Sequence, residues 1–201
     1  MERCHGIYSS KKIGVDFALD NLRPVSNLKF VSKLTELAAC NQVHSHVSAN
    51  NLYPSLQSFY RKGHSTETAL LKIVNDILNM NKQHVTLLVL SDLSAAFDTV
   101  DRDILIQRLI TKFGINGVVL NWFKSYMEGR SQHVSLQGPV SEKFEEKWGV
   151  PQGSCLGPLL FILYASELFN VLEAHLPSVH CYAVSYIYLF VQTTIMVKMT
   201  H

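Results

Sequence analysis

The segment His84-Val85-Thr86-Leu87-Leu88-Val89-Leu90 is a short, nearly continuous apolar run that stops at Ser91-Asp92. It is too short for an amphipathic helix and lacks strict alternation, so it suits a strand buried on both faces. No other segment constrains the fold as much, because such a strand needs a sheet beside it and packed layers on either side. It also delivers a carboxylate, Asp92, to the strand's end. Alone, an Asp in that place is equally a turn former or a helix cap. Downstream stands Gly149-Val150-Pro151-Gln152-Gly153-Ser154-Cys155-Leu156-Gly157-Pro158. Three glycines and two prolines in ten residues let main chain approach a ligand closely. The plain alternative is an ordinary turn leading into a helix.

Composition places the chain among globular proteins. Of its 201 residues, 47% are apolar and 17% charged, and the net charge of +2 does not by itself demand a polyanionic partner. The charge is uneven, however. Between Asn21 and Lys82 stand Arg23, Lys29, Lys33, Arg61, Lys62, Lys72 and Lys82 against Glu36, Glu67 and Asp76. That segment suits either a phosphate-facing surface or a solvated basic one. None of Cys4, Cys40, Cys155 and Cys181 forms a Cys-x-x-Cys pair, which argues against a zinc site and for free thiols in a reducing compartment. The start, Met1-Glu2-Arg3-Cys4-His5, has no signal-peptide core, and the expected location is intracellular, cytoplasmic or nuclear. Tyr182–Met199 is the greasiest stretch, but Ser185, Gln192, Thr193 and Thr194 interrupt it. It reads as buried strands rather than a membrane span.

Along the chain, residues 1–20 have weak periodicity and read as a weakly ordered N-terminal segment. Residues 21–26 form an extended entry, since Pro24 biases Arg23 away from helix. A helix over Phe30–Val47 is expected to bury Val31, Leu34, Leu37, Ala38 and Val43. A second begins at Ser65, with Thr68 completing part of a capping box, and carries Leu70, Ile73, Val74, Ile77 and Leu78 as its stripe. Further helices are expected over Arg102–Phe113, stopped by Gly114, over Gly117–Met127, and over Pro158–Leu172. Residues 132–136 and 140–148 read as a hairpin turned by Gly138-Pro139, and Val179–Val197 as two strands joined by a turn. His44 and His46, two apart on a helix, point to different faces. Ser154 lacks the Gly-x-Ser-x-Gly elbow, and there is no Walker-type phosphate loop.

Taken together, Ser91-Asp92-Leu93-Ser94-Ala95-Ala96-Phe97-Asp98 and the Gly149–Pro158 string resemble the palm motifs of a reverse transcriptase from a non-LTR (LINE-type) retrotransposon. Residues 21–28 and 57–70 resemble the fingers of the same enzymes, and the resemblance covers roughly residues 20 to 183 in the family's motif order. It implies an α+β polymerase palm, a small antiparallel sheet backed by helices, with a helical fingers region. The division expected is 1–20, then fingers-like 21–82, then palm-like 83–201. It implies RNA-directed DNA synthesis with an RNA template, a DNA primer, deoxynucleoside triphosphates and Mg²⁺, and no membrane. Carried over residue by residue, Asp92 is the catalytic, metal-binding carboxylate and Leu93 offers its backbone carbonyl to the metal. Phe97 lies under the incoming sugar, Gln152 and Gly153 contact the nascent pair, and Arg61 and Lys62 face phosphate. Asp98, Asp101 and Asp103 fall outside the metal position and read as helix-start charges.

The resemblance breaks at one place. Where the family has Tyr-Ala-Asp-Asp, this chain has Tyr182-Ala183-Val184-Ser185. Two divalent metals must be clamped for nucleotide addition, by hard oxygen ligands on rigid elements. Val184 and Ser185 supply neither carboxylate. The expectation is a degenerate, inactive copy, truncated at His201 before a thumb. The alternative is a non-catalytic remnant that holds RNA through its basic fingers.

Overall fold

The structure, a computed structural model, describes residues 4–10, 22–54, 57–61, 63–79, 84–93, 95–134, 140–175, 178–182 and 185–193. The elements are β1 (Cys4–Ser10), β2 (Leu22–Asn27), α1 (Phe30–Ala49), α2 (Thr66–Asn79), β3 (His84–Asp92), α3 (Arg102–Thr111) and α4 (Gly117–Met127). They continue with β4 (Ser131–Val134), β5 (Phe144–Glu145), α5 (Gly157–Tyr164), α6 (Ser166–His175), β6 (Ser178–Tyr182) and β7 (Ser185–Thr193). Two compact units emerge: Met1–Tyr53 with Ala95–Tyr164, and Pro54–Ser94 with Ala165–His201.

The first unit carries a four-stranded sheet in the order β2-β1-β4-β5. β1 runs antiparallel to β2 and parallel to β4, and β5 closes the β4 edge as the expected hairpin partner, Gln132 opposite Phe144. Its turn, including Gly138-Pro139, lies outside the described residues. Within the N-terminal segment, residues 5–10 of β1 pair with β2, and residues 4–6 pair with β4. The core centres on α5, whose Leu159–Leu163 run is almost wholly buried together with Leu105, Leu109 and Phe123. A helix apolar all round belongs in such a place. Asp101 caps α3 by accepting from the N–H groups of Asp103 (2.9 Å) and Ile104 (3.0 Å). The helix ends as the chain leaves at Gly114, where the Ile115 N–H closes on the Leu109 carbonyl at 2.9 Å. On α3, Leu105 and Leu109 face the core while Ile110 is exposed.

Helix α1 forms where expected and buries Val43 as expected, but not Val31, Leu34, Leu37 or Ala38. Val31 is 69% exposed, Leu34 and Leu37 about half, while Glu36, Cys40, Val43 and Val47 point inward. Those four recur at 36, 40, 43 and 47, a helical stripe of their own. Three of the four are apolar, and Glu36 is satisfied inside by two hydrogen-bond donors, which a hydrophobicity count does not see.

The second unit holds an antiparallel sheet in the order β3-β7-β6, with α2 and α6 packed on β6. Nine successive pairs join β3 to β7, from His84 opposite Thr193 to Asp92 opposite Ser185. β3 is therefore an edge strand among the described residues, and Leu90 is 69% exposed. Burial on both faces, inferred from its unbroken apolar character, does not hold for Leu88, Val89 and Leu90. In α2, Ser65 and Thr68 do form a reciprocal cap, each backbone N–H bonding the other's hydroxyl at 2.8 and 3.3 Å. Only Ala69 and Ile73 of that helix are buried. Polar ties fix it instead: Asp76 Oδ2 to His180 Nε2 at 2.7 Å, and Thr66 to the Tyr182 hydroxyl at 2.6 Å.

The expected single helix over Pro158–Leu172 is two, α5 and α6, with a break at Ala165. The Tyr164 carbonyl accepts from the Arg108 guanidinium, and the Leu168 N–H bonds the Ala165 carbonyl at 2.9 Å. The regular i to i−4 ladder is interrupted at that carbonyl.

Candidate functional site

In the second unit, Asp92, Ser185 and Tyr182 form one row across the sheet: Asp92 pairs with Ser185, and Ser185 with Tyr182. Asp92 ends β3 and is exposed, as is Leu93 directly after it. The pairing of β6 with β7 thus sets Tyr182 and Ser185 in line with Asp92 at the end of β3. Ala183 and Val184 themselves lie outside the described residues.

The 57–61 loop is stitched to the same sheet. Gln57 bridges Cys181 in parallel, the Ser58 N–H bonds the Cys181 carbonyl at 3.0 Å, and the buried Gln57 side chain accepts from the Phe59 N–H at 3.1 Å. Phe59 packs on Tyr182 with ring centroids 4.6 Å apart. Arg61, half-buried, follows at the loop's end. Lys62 lies outside the described residues. Burial pushes the Cys181 thiol well up, so it stays a neutral core side chain. At Asp76 burial acts upward, but hydrogen bonds from Lys72 and His180 outweigh it and hold the carboxyl below its ordinary range.

In the first unit, the Gly/Pro string is a tightly held loop rather than a loose turn. The Gly149 N–H bonds the Val100 carbonyl at 2.7 Å and the Val150 N–H bonds the Phe97 carbonyl at 2.8 Å. Gly149 has φ +84°, and a Cβ there would meet the Phe97 carbonyl oxygen at 2.9 Å, so a side chain is doubly excluded. At Gly157 a Cβ would meet Ser154 Oγ at 2.7 Å, the atom that accepts the Gly157 N–H and starts α5. The Gln152 carbonyl accepts from the Ser26 N–H at 2.8 Å, tying the loop to β2. The Phe97 ring packs on Phe161 at 5.5 Å. Phe97, Gln152 and Gly153 are thus brought together on one scaffold.

Two residues that hold this loop were not singled out from sequence. Glu36, 2% exposed, accepts from the Cys155 N–H at 3.0 Å and from the Tyr126 hydroxyl at 2.8 Å. Burial, reinforced by Glu36, pushes the Tyr126 phenol well up, so it remains a donor. Arg102 reaches the carbonyls of Gly149 and Trp148 at 3.0 Å and of Met127 at 2.8 Å, and also that of Glu146. The clue to Glu36 was its phase with Cys40, Val43 and Val47. For Arg102 no local clue exists, since its partners are backbone groups distant in sequence.

The donor set at the Asp92 row does not fit the paired Mg²⁺ ions that the motifs imply. Among the described residues this row offers one carboxylate, Asp92, and the two positions where the resemblance puts acids are a valine and a serine.

The chain matches the family described as reverse transcriptase (RNA-dependent DNA polymerase) over residues 10–190. It is 34% identical over 148 residues to a probable RNA-directed DNA polymerase from transposon X-element of Drosophila melanogaster, covering 73% of this chain and 16% of that protein. It is 30% identical over 151 residues to the RNA-directed DNA polymerase from mobile element jockey of the same species, covering 75% and 16%. The chain therefore spans about one sixth of the length of these relatives. Among solved structures it is similar to apo telomerase from Candida tropicalis truncated from its C-terminal domain, with a TM-score of 0.63 and 18% identity over 93% of this chain and 43% of that one. Telomerase from the same species in complex with the TWJ fragment of telomeric RNA gives 0.65 and 16%, covering 96% and 36%. These last two show the shared fold alone. The chain belongs to the reverse transcriptase family, with the α+β palm-type fold its motifs implied. Within it, the chain is a reverse transcriptase domain of the non-LTR retrotransposon type. No helix among the described residues is long and apolar enough to cross a membrane.

Proposed function

We propose that this domain descends from an RNA-directed DNA polymerase and engages an RNA template and its primer without catalysing nucleotide addition. The observation that carries this is the row Asp92–Ser185–Tyr182. The hairpin is in register for a catalytic turn, yet Val184 and Ser185 stand where the family's two acids would. One carboxylate cannot balance the charge of two divalent ions and a triphosphate, and losing such transition-state stabilisation costs orders of magnitude in rate. In this reading Asp92 and Leu93 keep the geometry of a metal position. Phe97, Gln152 and Gly153 keep that of the nascent pair, and Arg61 and Lys62 face phosphate. The fingers-like part is 21–82 and the palm-like part 83–201. An intracellular location, cytoplasmic or nuclear, follows from a nucleic-acid template and unpaired thiols.

The test is primer extension on a primed RNA template with deoxynucleotides and Mg²⁺. The expected result is no product above background. Incorporation that Asp92→Ala abolishes would overturn the proposal.

A further inference from the structure

Cys40 and Cys155 are 115 positions apart in the chain and meet in the first unit, where α1 passes the Gly149–Pro158 loop. The Cys40 S–H donates to the Cys155 carbonyl at 3.7 Å, and the Cys155 N–H donates to Glu36 Oε2 at 3.0 Å. Glu36 and Cys40 lie one helical turn apart, so one face of α1 holds the Cys155 main chain on both sides. Both cysteines are free thiols, but their settings differ: Cys155 is exposed, while Cys40 is only 8% exposed. Burial pushes the Cys40 thiol up from its ordinary value, and the nearby Cys155 and Glu36 push it further in the same direction. An exposed thiol therefore sits beside a buried one, on two elements that are already hydrogen-bonded to each other.

We propose that Cys155 is a site of thiol modification, and that Cys40 resolves the modified form by closing a reversible disulfide between the loop and α1. The reagent is a low-molecular-weight disulfide, RSSR. Exposure selects the first sulfur, since reactivity follows access to the thiolate. Cys155 attacks RSSR, the Cys155–S–SR bond forms, and one RSH leaves with the Cys155 proton. Cys40 then attacks the Cys155 sulfur, the Cys40–Cys155 bond forms, and the second RSH leaves with the Cys40 proton. Two protein thiols are oxidised and one RSSR is reduced to two RSH. The placement supports this order. A disulfide needs the two Cα atoms within about 7 Å, and a thiol that bonds the other cysteine's own carbonyl brings them to about that separation. The exposed Cys155 side chain can change rotamer without displacing core, whereas Cys40 stays where it is. A lone exposed cysteine would stop at the mixed disulfide; the buried partner turns modification into a cross-link. The bond would clip the loop that carries Gln152 and Gly153 to α1 and close a long ring of chain, which restrains the unfolded state.

The full chain, reduced and then freed of reductant, is treated with oxidised glutathione under native conditions. Remaining thiols are blocked with N-ethylmaleimide in denaturant, and the product is read by intact mass, peptide mapping and non-reducing electrophoresis. The expected product is a monomer that has lost the thiols of Cys40 and Cys155, carries no glutathione on either, and yields a peptide pair joining the two. Dithiothreitol should restore both thiols. Cys40→Ser should stop at glutathione on Cys155, and Cys155→Ser should leave Cys40 unmodified. Glutathione retained on Cys155 of the unaltered chain with Cys40 still free overturns the proposal. So does a bond from either residue to Cys4 or Cys181, a bond between two chains, or no reaction at Cys155.

Discussion

Arg102→Ala is expected to destabilise the first unit by about 4 kcal/mol, since several hydrogen bonds from one charged donor are lost at once. The guanidinium reaches four carbonyls, those of Met127, Glu146, Trp148 and Gly149, with the Glu146 carboxylate 3.6 Å from Nη2. These groups belong to the end of α4 and to the segment leading into the Gly149–Pro158 loop. No other side chain has that fork of donors. Lysine, with one ammonium, can satisfy only part of the set, so Arg102→Lys should recover less than half of the loss. Urea unfolding followed by tryptophan fluorescence measures both. A loss under about 1 kcal/mol for the alanine variant would mean that the loop holds its shape without the guanidinium.

Glu36→Ala should cost about 3 kcal/mol, because it strands a buried phenol and a part-buried backbone N–H rather than removing a self-contained pair. The Tyr126 hydroxyl and the Cys155 N–H both point at this carboxylate. Glu36→Gln keeps an acceptor oxygen but turns an amide N–H₂ toward the second donor, so an intermediate loss is expected. Tyr126→Phe removes one donor cleanly and should cost less than Glu36→Ala. If the alanine variant equals wild type in the same urea titration, the carboxylate is not what orients α1 against the loop.

These two residues mark where sequence reading stopped. The elements themselves were legible: the α2 cap at Ser65 and Thr68, the α3 stop at Gly114, and the β6–β7 hairpin all follow from local chemistry. What failed were inferences from hydrophobicity alone. Val31, Leu34 and Leu37 form a plausible core stripe, yet α1 turns Glu36, Cys40, Val43 and Val47 inward, with Glu36 held by the Tyr126 hydroxyl and the Cys155 N–H. The run Val85–Leu90 looks doubly buried, yet β3 has a single neighbour among the described strands and its last residues are exposed. The break at Ala165 depends on Arg108, distant in sequence, capturing a helix carbonyl. Each miss came from a long-range polar contact or from strand order, neither of which has a local signature.

In the proposed reading, the β6–β7 hairpin keeps its register and lacks its metal donors. Manganese, a spectroscopic substitute for magnesium at carboxylate sites, tests it without requiring turnover. Mn²⁺ is titrated into the chain and into the double variant Val184→Asp, Ser185→Asp, with free ion read by electron paramagnetic resonance. The chain itself is expected to show no specific binding, and the double variant to bind in a way that Asp92→Ala removes. Tight Mn²⁺ binding by the unaltered chain, lost on Asp92→Ala, would contradict it.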